Sequence, residues 1–269
     1  MTLVYEDKTK VLRKCFFDVQ NEVGLGRREE DYHSACKIWL RDHQIPFTSK
    51  RPHPLWLHGQ VAHTLFPDLV AWDSITVELK AVPRNPRTTE FVQLFDYLKC
   101  RGDRLGLLVN MGLDRVHVER VVYEQVETTL EEDWSYWSGR ISGSVRDAGM
   151  VACQALRAIY HEHKTGYGED VVQRLIPFAL QASGLRVNIR PVTPAQYHGV
   201  ELHRSPLDCL VIEDCILLTF TSLFENLEFA LNRGKSYLKA LSLDWGIAAN
   251  FGKTKAEFTG LGQQTRSPT

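Results

Sequence analysis

The sequence predicts an α/β fold built as two modules in tandem, on three observations. The chain matches itself at one offset of 140 residues, each half reads as helices, short apolar strands, a helix and a closing strand, and an acidic, Ser/Gly-rich stretch separates the halves. At that offset Gly26 falls on Gly166, Glu29 on Glu169, Pro54 on Pro194, Gly59 on Gly199 and Asp68 on Asp208. Tyr97-Leu98-Lys99 meets Tyr237-Leu238-Lys239, and Gly106, Asn110 and Gly112 meet Gly246, Asn250 and Gly252, with no gap from first to last. Collinear identities through every expected element mark an internal repeat, and two α/β modules follow rather than one continuous sheet.

The elements follow in order. A helix over about 8–23 stops at Gly24-Leu25-Gly26, and a second runs over about 27–43, because glycine takes the left-handed residue that ends a helix. Strands are expected at 45–50, 54–57 and 61–65, the last two joined around His58-Gly59-Gln60. The runs 68–72 and 75–81 are apolar and β-branched, with Asp73-Ser74 as the turn of a hairpin. A helix over about 88–99 and a strand at 105–110 close the module. The second half repeats this with helices near 151–163 and 169–183, strands through 207–220, a helix near 223–239 and a strand at 245–250. Domain boundaries are placed at 1–123 and 148–258, with 124–147 as a linker and 259–269 as a polar tail. The linker rests on the acidic Glu131-Glu132-Asp133 and the Ser/Gly-rich residues 138–143.

Composition bounds the function. At 269 residues and 43% apolar, the chain can bury a substantial core. A formal net charge of -1 excludes a generally basic nucleic-acid binder, so phosphate contacts have to come from a local patch. Six cysteines include no CxxC pair, and no zinc or iron–sulfur site is expected. The histidines form no convincing metal set, and no Walker loop, dinucleotide glycine motif or Gly-x-Ser-x-Gly elbow is present. No apolar run reaches membrane-spanning length and no signal-peptide pattern opens the chain, so no membrane partner is expected and the cytoplasm is the default compartment.

The chemistry-bearing stretch is Pro67-Asp68 followed by Glu78-Leu79-Lys80. Hairpin pairing brings Asp68 close to Glu78, while strand alternation points Glu78 and Lys80 one way and Leu79 the other. Two carboxylates in one small volume repel unless a cation lies between them. The plain alternative is a solvated Glu78–Lys80 pair on an exposed face; Val77, Leu79 and Ala81 argue instead for a strand deep in a sheet. Glu29 follows the glycine loop by three residues and is a candidate further ligand, although an acid in a first helical turn also has a purely structural use. Tyr32, one turn on, reads alone as packing. Gln93 and Tyr97 share one helix face behind the basic loop carrying Arg84 and Arg87. That face either looks onto the strands, offering Gln93 to a nucleotide, or leaves Gln93, Arg84 and Arg87 as ordinary surface.

Taken together these residues resemble the GxxExxY family of the PD-(D/E)XK nucleases. Gly26-Arg27-Arg28-Glu29-Glu30-Asp31-Tyr32 is similar to the name-giving motif, Pro67-Asp68 with Glu78-Leu79-Lys80 to the signature pair, Gln93 to Tyr97 to a QxxxY element, and 105–112 to the closing strand. The resemblance covers about 8–123 and implies a restriction-endonuclease-like core, a mixed sheet flanked by helices. It also implies Mg²⁺ or Mn²⁺ held by Asp68, Glu78 and the Leu79 carbonyl, with Glu29 completing the outer site. Lys80 then positions or deprotonates the attacking water, with Gln93 and Tyr97 beside it, and Arg84, Arg87 and Gln93 contact nucleic acid. The implied substrate is DNA, with RNA as the alternative. Gln20 departs from the family, which more often has His there.

The second half departs further. At the 140-residue offset Asp208 survives, but Glu78 becomes Leu218, Lys80 becomes Phe220 and Gln93 becomes Arg233; a shift of one residue gives Thr219 and Thr221 instead. The expectation is one live module and one degenerate copy, the two pairing within the chain. A non-catalytic nucleic-acid- or protein-binding protein that keeps the nuclease fold is the alternative.

Overall fold

A computed structural model describes residues 4–263. The chain divides into two compact units, Met1–Leu55 with Thr64–Gln125, and Trp56–His63 with Val126–Thr269.

The first unit begins with α1 (Glu6–Val23) and α2 (Glu29–Asp42). Gly24 caps α1 with its N–H donating to Gln20 O at 2.9 Å and φ of 81°, a conformation that disfavours a side chain. The strands β1 (Phe47–Ser49), β4 (Leu69–Ala71), β5 (Ile75–Lys80), β6 (Leu105–Asn110) and β7 (His117–Val122) lie in the order β1-β4-β5-β6-β7. Pairing is antiparallel except for β5 with β6, so the sheet is mixed. The β5-to-β6 crossover is α3 (Thr88–Arg101). One sheet face, with Ile75, Val77, Leu79, Leu105, Leu107 and Val109, packs on α1 and α2, while Leu108 and Val121 meet Leu94 and Leu98 of α3. Gly106 lets α3 approach: a Cβ there would lie 2.8 Å from Leu94 Cδ1.

A separate hairpin pairs β2 (His53–Leu57) with β3 (Gln60–Leu65). Its turn belongs to the second unit. That unit's helices are α4 (Gly143–His163), α5 (Glu169–Ala182) and α6 (Glu228–Leu241). Its main sheet runs β8-β15-β14-β13-β12-β9, from β8 (Thr129–Asp133), β15 (Lys255–Gly262), β14 (Trp245–Phe251), β13 (Ile216–Ser222), β12 (Leu210–Ile212) and β9 (Val187–Ile189). A second hairpin joins β10 (Val192–Tyr197) to β11 (Val200–Pro206). No helix among the described residues is long and apolar enough to cross a membrane.

Several boundaries differ from the expectations. The hairpin turn after β4 centres on Trp72 and Asp73, at φ 51° and 47°, with Ser74 N–H donating to Ala71 O; this is the mirror-image turn that matches strand twist. Strand β7 is an edge strand the apolar pattern understates. The stretch expected as a linker, 124–147, contributes β8, which pairs in parallel with β15, and α4 starts at Gly143. The tail expected at 259–269 is in strand β15 as far as Gly262, and 264–269 lie outside the described residues. Ala256, Phe258 and Gly260 face inward there while Lys255, Glu257 and Thr259 face outward, an alternation masked by the polar face. Over that strand lies Trp137, 6% exposed, its indole donating to Leu261 O at 2.9 Å. Gly149 and Gly260 form its slot, since a Cβ at either would come within 2.8 Å of the indole.

Candidate active site

The site of interest lies at the ends of β4 and β5. Leu69 pairs with Val77, so Asp68, one residue earlier, stands beside Glu78, one residue later. Asp68 Oδ2 accepts a hydrogen bond from Leu79 N–H at 2.9 Å, which fixes the carboxylate across the hairpin. Glu78 is 2% exposed; its Oε1 accepts from Lys80 Nζ at 2.5 Å, and its Oε2 is buried with no hydrogen-bond partner. Burial first, then the charge of Asp68, pushes Glu78 up to about 8 from an ordinary 4.5, with Lys80 opposing. Burial works to lower Lys80, but Glu78 outweighs it and the ammonium is held above its usual range.

Glu29 is the first residue of α2 and half-buried. Burial raises its pKa, the nearby Lys80 lowers it and Asp68 raises it, so it lies within electrostatic reach of the pair. Among the described residues no three His, Cys, Asp or Glu side chains are gathered into one metal-holding cluster; Asp68 and Glu78 sit side by side. Tyr32, fully buried, donates its hydroxyl to Gly24 O at 2.7 Å. That bond ties the glycine turn to α2 and so sets where Glu29 begins.

Gln93 and Tyr97 do share a face of α3, with Gln93 Nε2 donating to Tyr97 Oη at 2.8 Å. Tyr97 is 6% exposed, and burial followed by the charge of Glu78 raises its phenol; this face therefore looks onto the strands. Arg84 is engaged elsewhere, donating to Glu90 Oε1 at 2.6 Å. Arg87 precedes α3 and its backbone N–H donates to Glu90. Glu90 thus holds the basic loop against the helix.

Four residues were not singled out from the sequence as site residues. His33 Nε2 lies 3.1 Å from the Asp68 carbonyl oxygen and 3.0 Å from Ser49 Oγ; a carbonyl only accepts, so Nε2 carries the proton. The spacing of four from Glu29 on one helix face was the available signal. Lys50 Nζ approaches Asp68 Oδ1 to 3.9 Å, with no sequence cue. Asn110, fully buried, accepts from Val82 and Gly112 N–H and donates to Val82 and Arg84 carbonyls, all within 3.1 Å. It clamps the loop leaving Lys80, and Gly112 lets that loop pass, since a Cβ there would lie 2.4 Å from Val82 N. Gln20, the departure noted above, donates to Met111 and Leu113 carbonyls at 2.9 and 2.8 Å and secures the other side of the same turn.

The second unit corrects the gapless repeat. In the first sheet Leu69 pairs with Ser49 and Val77; in the second Leu210 pairs with Ile189 and Leu218. Strands β12 and β13 therefore lie 141 residues on, whereas β9, α6 and β14 keep 140. One extra residue before Leu210 and a loop one residue shorter after β13 account for it. Cys209 then occupies the place of Asp68, Thr219 that of Glu78 and Thr221 that of Lys80, so Leu218 and Phe220 are not the counterparts. Thr219 donates to Ala230 O and Thr221 to Asn250 Oδ1, both at 3.0 Å. Arg233, in the place of Gln93, donates to Asp208 Oδ2 at 2.8 Å and to Phe220 O. A thiol and a fixed hydroxyl stand where the first unit has carboxylates, a second hydroxyl where it has the lysine, and a fixed guanidinium where it has Gln93.

A mixed sheet between two helical layers, present twice, with acidic and lysine side chains at the end of one central strand, defines a nuclease-like α/β core. The family model of the PD-(D/E)XK nuclease superfamily matches residues 6–121 and again 147–260, and the chain belongs to that superfamily. No curated protein matches. A solved structure described as "Crystal structure of SSO0001" is 16% identical, covering 48% of this chain and 64% of that one, with a TM-score of 0.29. The chain thus matches less than two thirds of that structure's length, and the assignment rests on the family match.

Proposed function

We propose that the first unit is a metal-dependent nuclease hydrolysing phosphodiester bonds of DNA, and that the second has lost the site. The observation that carries this is the Asp68–Glu78 pair: two adjacent carboxylates, one with a buried oxygen lacking any partner, on a chain of the PD-(D/E)XK superfamily. An unpaired buried carboxylate is costly, and a cation between the two relieves it.

The donor set fits a hard cation such as Mg²⁺ or Mn²⁺, which Asp68, Glu78 and the Leu79 carbonyl would hold, with Glu29, electrostatically coupled to the pair, as the further ligand. Bound there, such an ion supplies Lewis-acid stabilisation of a phosphoryl oxygen and lowers the pKa of its water. The protein's own part is positional. His33 and Leu79 fix Asp68 through its carbonyl and carboxylate. Lys80, on the same strand face as Glu78, offers an ammonium to the attacking water and to charge developing on phosphate. Gln93, held by Tyr97, offers its remaining amide hydrogen and carbonyl to a nucleotide. Arg84 and Arg87, on the loop that leaves Lys80 and enters α3, are the proposed contacts to the nucleic-acid backbone. In the second unit Arg233 and the two bonded threonines leave no seat for a cation, which supports a single site per chain.

The test is turnover of single- and double-stranded DNA and RNA in Mg²⁺ or Mn²⁺ by the full chain, Asp68→Ala and Lys80→Ala. Both substitutions should reduce the rate by about a hundredfold or more. Equal turnover in all three proteins refutes the proposal, and metal-independent nucleic-acid binding without turnover moves the protein to the non-catalytic reading.

A further inference from the structure

We infer that this chain self-associates head to tail, the β10–β11 hairpin of one copy docking on the α1–α2 corner of a second copy. The repeat supplies the argument. Within the second unit, the β2–β3 turn meets the end of α4: His58 N–H donates to Glu162 Oε1 at 3.2 Å, and His58 Nδ1 lies 3.8 Å from the same oxygen. His63 nearby lies within electrostatic reach of Arg174 and Asp170 of α5. Leu57, just before the turn, is 0% exposed.

The second hairpin has the same turn, and among the described residues it is exposed. His198 and Gly199 stand 140 residues after His58 and Gly59, with φ of 47° and 77° against 52° and 73°. Tyr197, in the place of Leu57, is 66% exposed, and Val192, Val200 and Leu202 are 64%, 61% and 56% exposed. Tyr197 pairs with Val200, so these two and Leu202, two residues further along β11, share one face of the hairpin, while Val192, paired with Pro206, lies on the other. Isolated two-stranded hairpins are marginal in water, and a contiguous exposed apolar face marks an interaction surface.

The complementary surface is also in the sequence. Glu162 of α4 corresponds at the same offset to Glu22 of α1, which is exposed and makes no ion pair among the described residues. Asp170 of α5 corresponds to Glu30 of α2, also exposed. Leu25, 52% exposed in the turn between those helices, adds an apolar landing. A histidine-tipped apolar hairpin and an acidic helix corner are thus each left free, and they match the pair already joined in the second unit. Because the two surfaces differ, the contact is heterologous, and repetition extends it into a ring or an open chain.

Sedimentation velocity of the full chain over a concentration series tests this. The wild type should gain mass with concentration, passing beyond a dimer. Glu22→Lys and Leu202→Asp, both at exposed positions, should each weaken association at least about tenfold, the loss of one charge-assisted hydrogen bond or of an apolar contact. Mixed together they should form a one-to-one dimer and stop, because the first retains only its hairpin and the second only its corner. A wild type that stays monomeric throughout, single variants that associate as the wild type does, or a mixture that stays monomeric overturns the inference.

Discussion

Replacing Glu78 by Gln in the metal-free protein should stabilise it, most of all at alkaline pH. The unfolded chain releases the Glu78 proton near 4.5, whereas the native site holds it up to about 8 because of burial and the neighbouring Asp68. Between those values the native state binds more protons than the unfolded one, so stability falls as pH rises. At 1.36 kcal/mol for each tenfold in proton affinity, the full interval amounts to about 5 kcal/mol. Glu78→Gln removes the titrating group and keeps the shape. Urea unfolding of both proteins in EDTA, at intervals from pH 5 to pH 8.5, isolates the effect, because contributions from the rest of the chain cancel in the difference. The variant should gain several kcal/mol on the wild type across that range, with the gain levelling above pH 8. Added Mn²⁺ at pH 8 should then raise the wild type and leave the variant nearly unchanged. Parallel stability curves for the two proteins, or stabilisation of both by Mn²⁺, refute the reasoning.

Asn110→Ala removes four hydrogen bonds from a fully buried side chain and should cost about 3 kcal/mol in urea unfolding; limited proteolysis should locate the loosening in residues 81–87. Gly112→Ala forces a methyl group against the Val82 backbone and should destabilise by about 1–3 kcal/mol by the same measure. Trp137→Ala empties the slot between Gly149 and Gly260, with an expected loss of about 3–5 kcal/mol. A Trp137→Ala protein with the wild-type urea midpoint would mean that the stretch before α4 carries no core.

The apolar runs and glycines placed most helices and central strands of both sheets, because those segments are buried on both faces or stop at residues that tolerate positive φ. The same reasoning passed over β8 and β15, where Glu131-Glu132-Asp133 and the outward Lys255 and Glu257 hide strands that pair with each other. Asp68, Glu78 and Lys80 were readable from strand alternation and hairpin pairing, and Gln93 with Tyr97 from helical spacing. Lys50, Glu90 and Asn110 were not, since their roles depend on backbone turns that no local pattern announces. The ungapped repeat misled in one respect: identities in helices and in β14 carried the offset across β12 and β13, where one residue had been gained and then lost.

That slip also fixes how far the second unit's side chains differ from the first unit's. Asp208 reads in an ungapped comparison as the last surviving carboxylate, as though a few reversions would revive the copy. In the fold it is one position out of register and serves as counter-ion to Arg233. Regaining the first unit's constellation would take Cys209→Asp, Thr219→Glu, Thr221→Lys and Arg233→Gln; any of the first three alone leaves Arg233 in the seat. Under the proposed function, the second half therefore differs from the first by four substitutions at the site and a shift in register, and no single change restores the carboxylate pair.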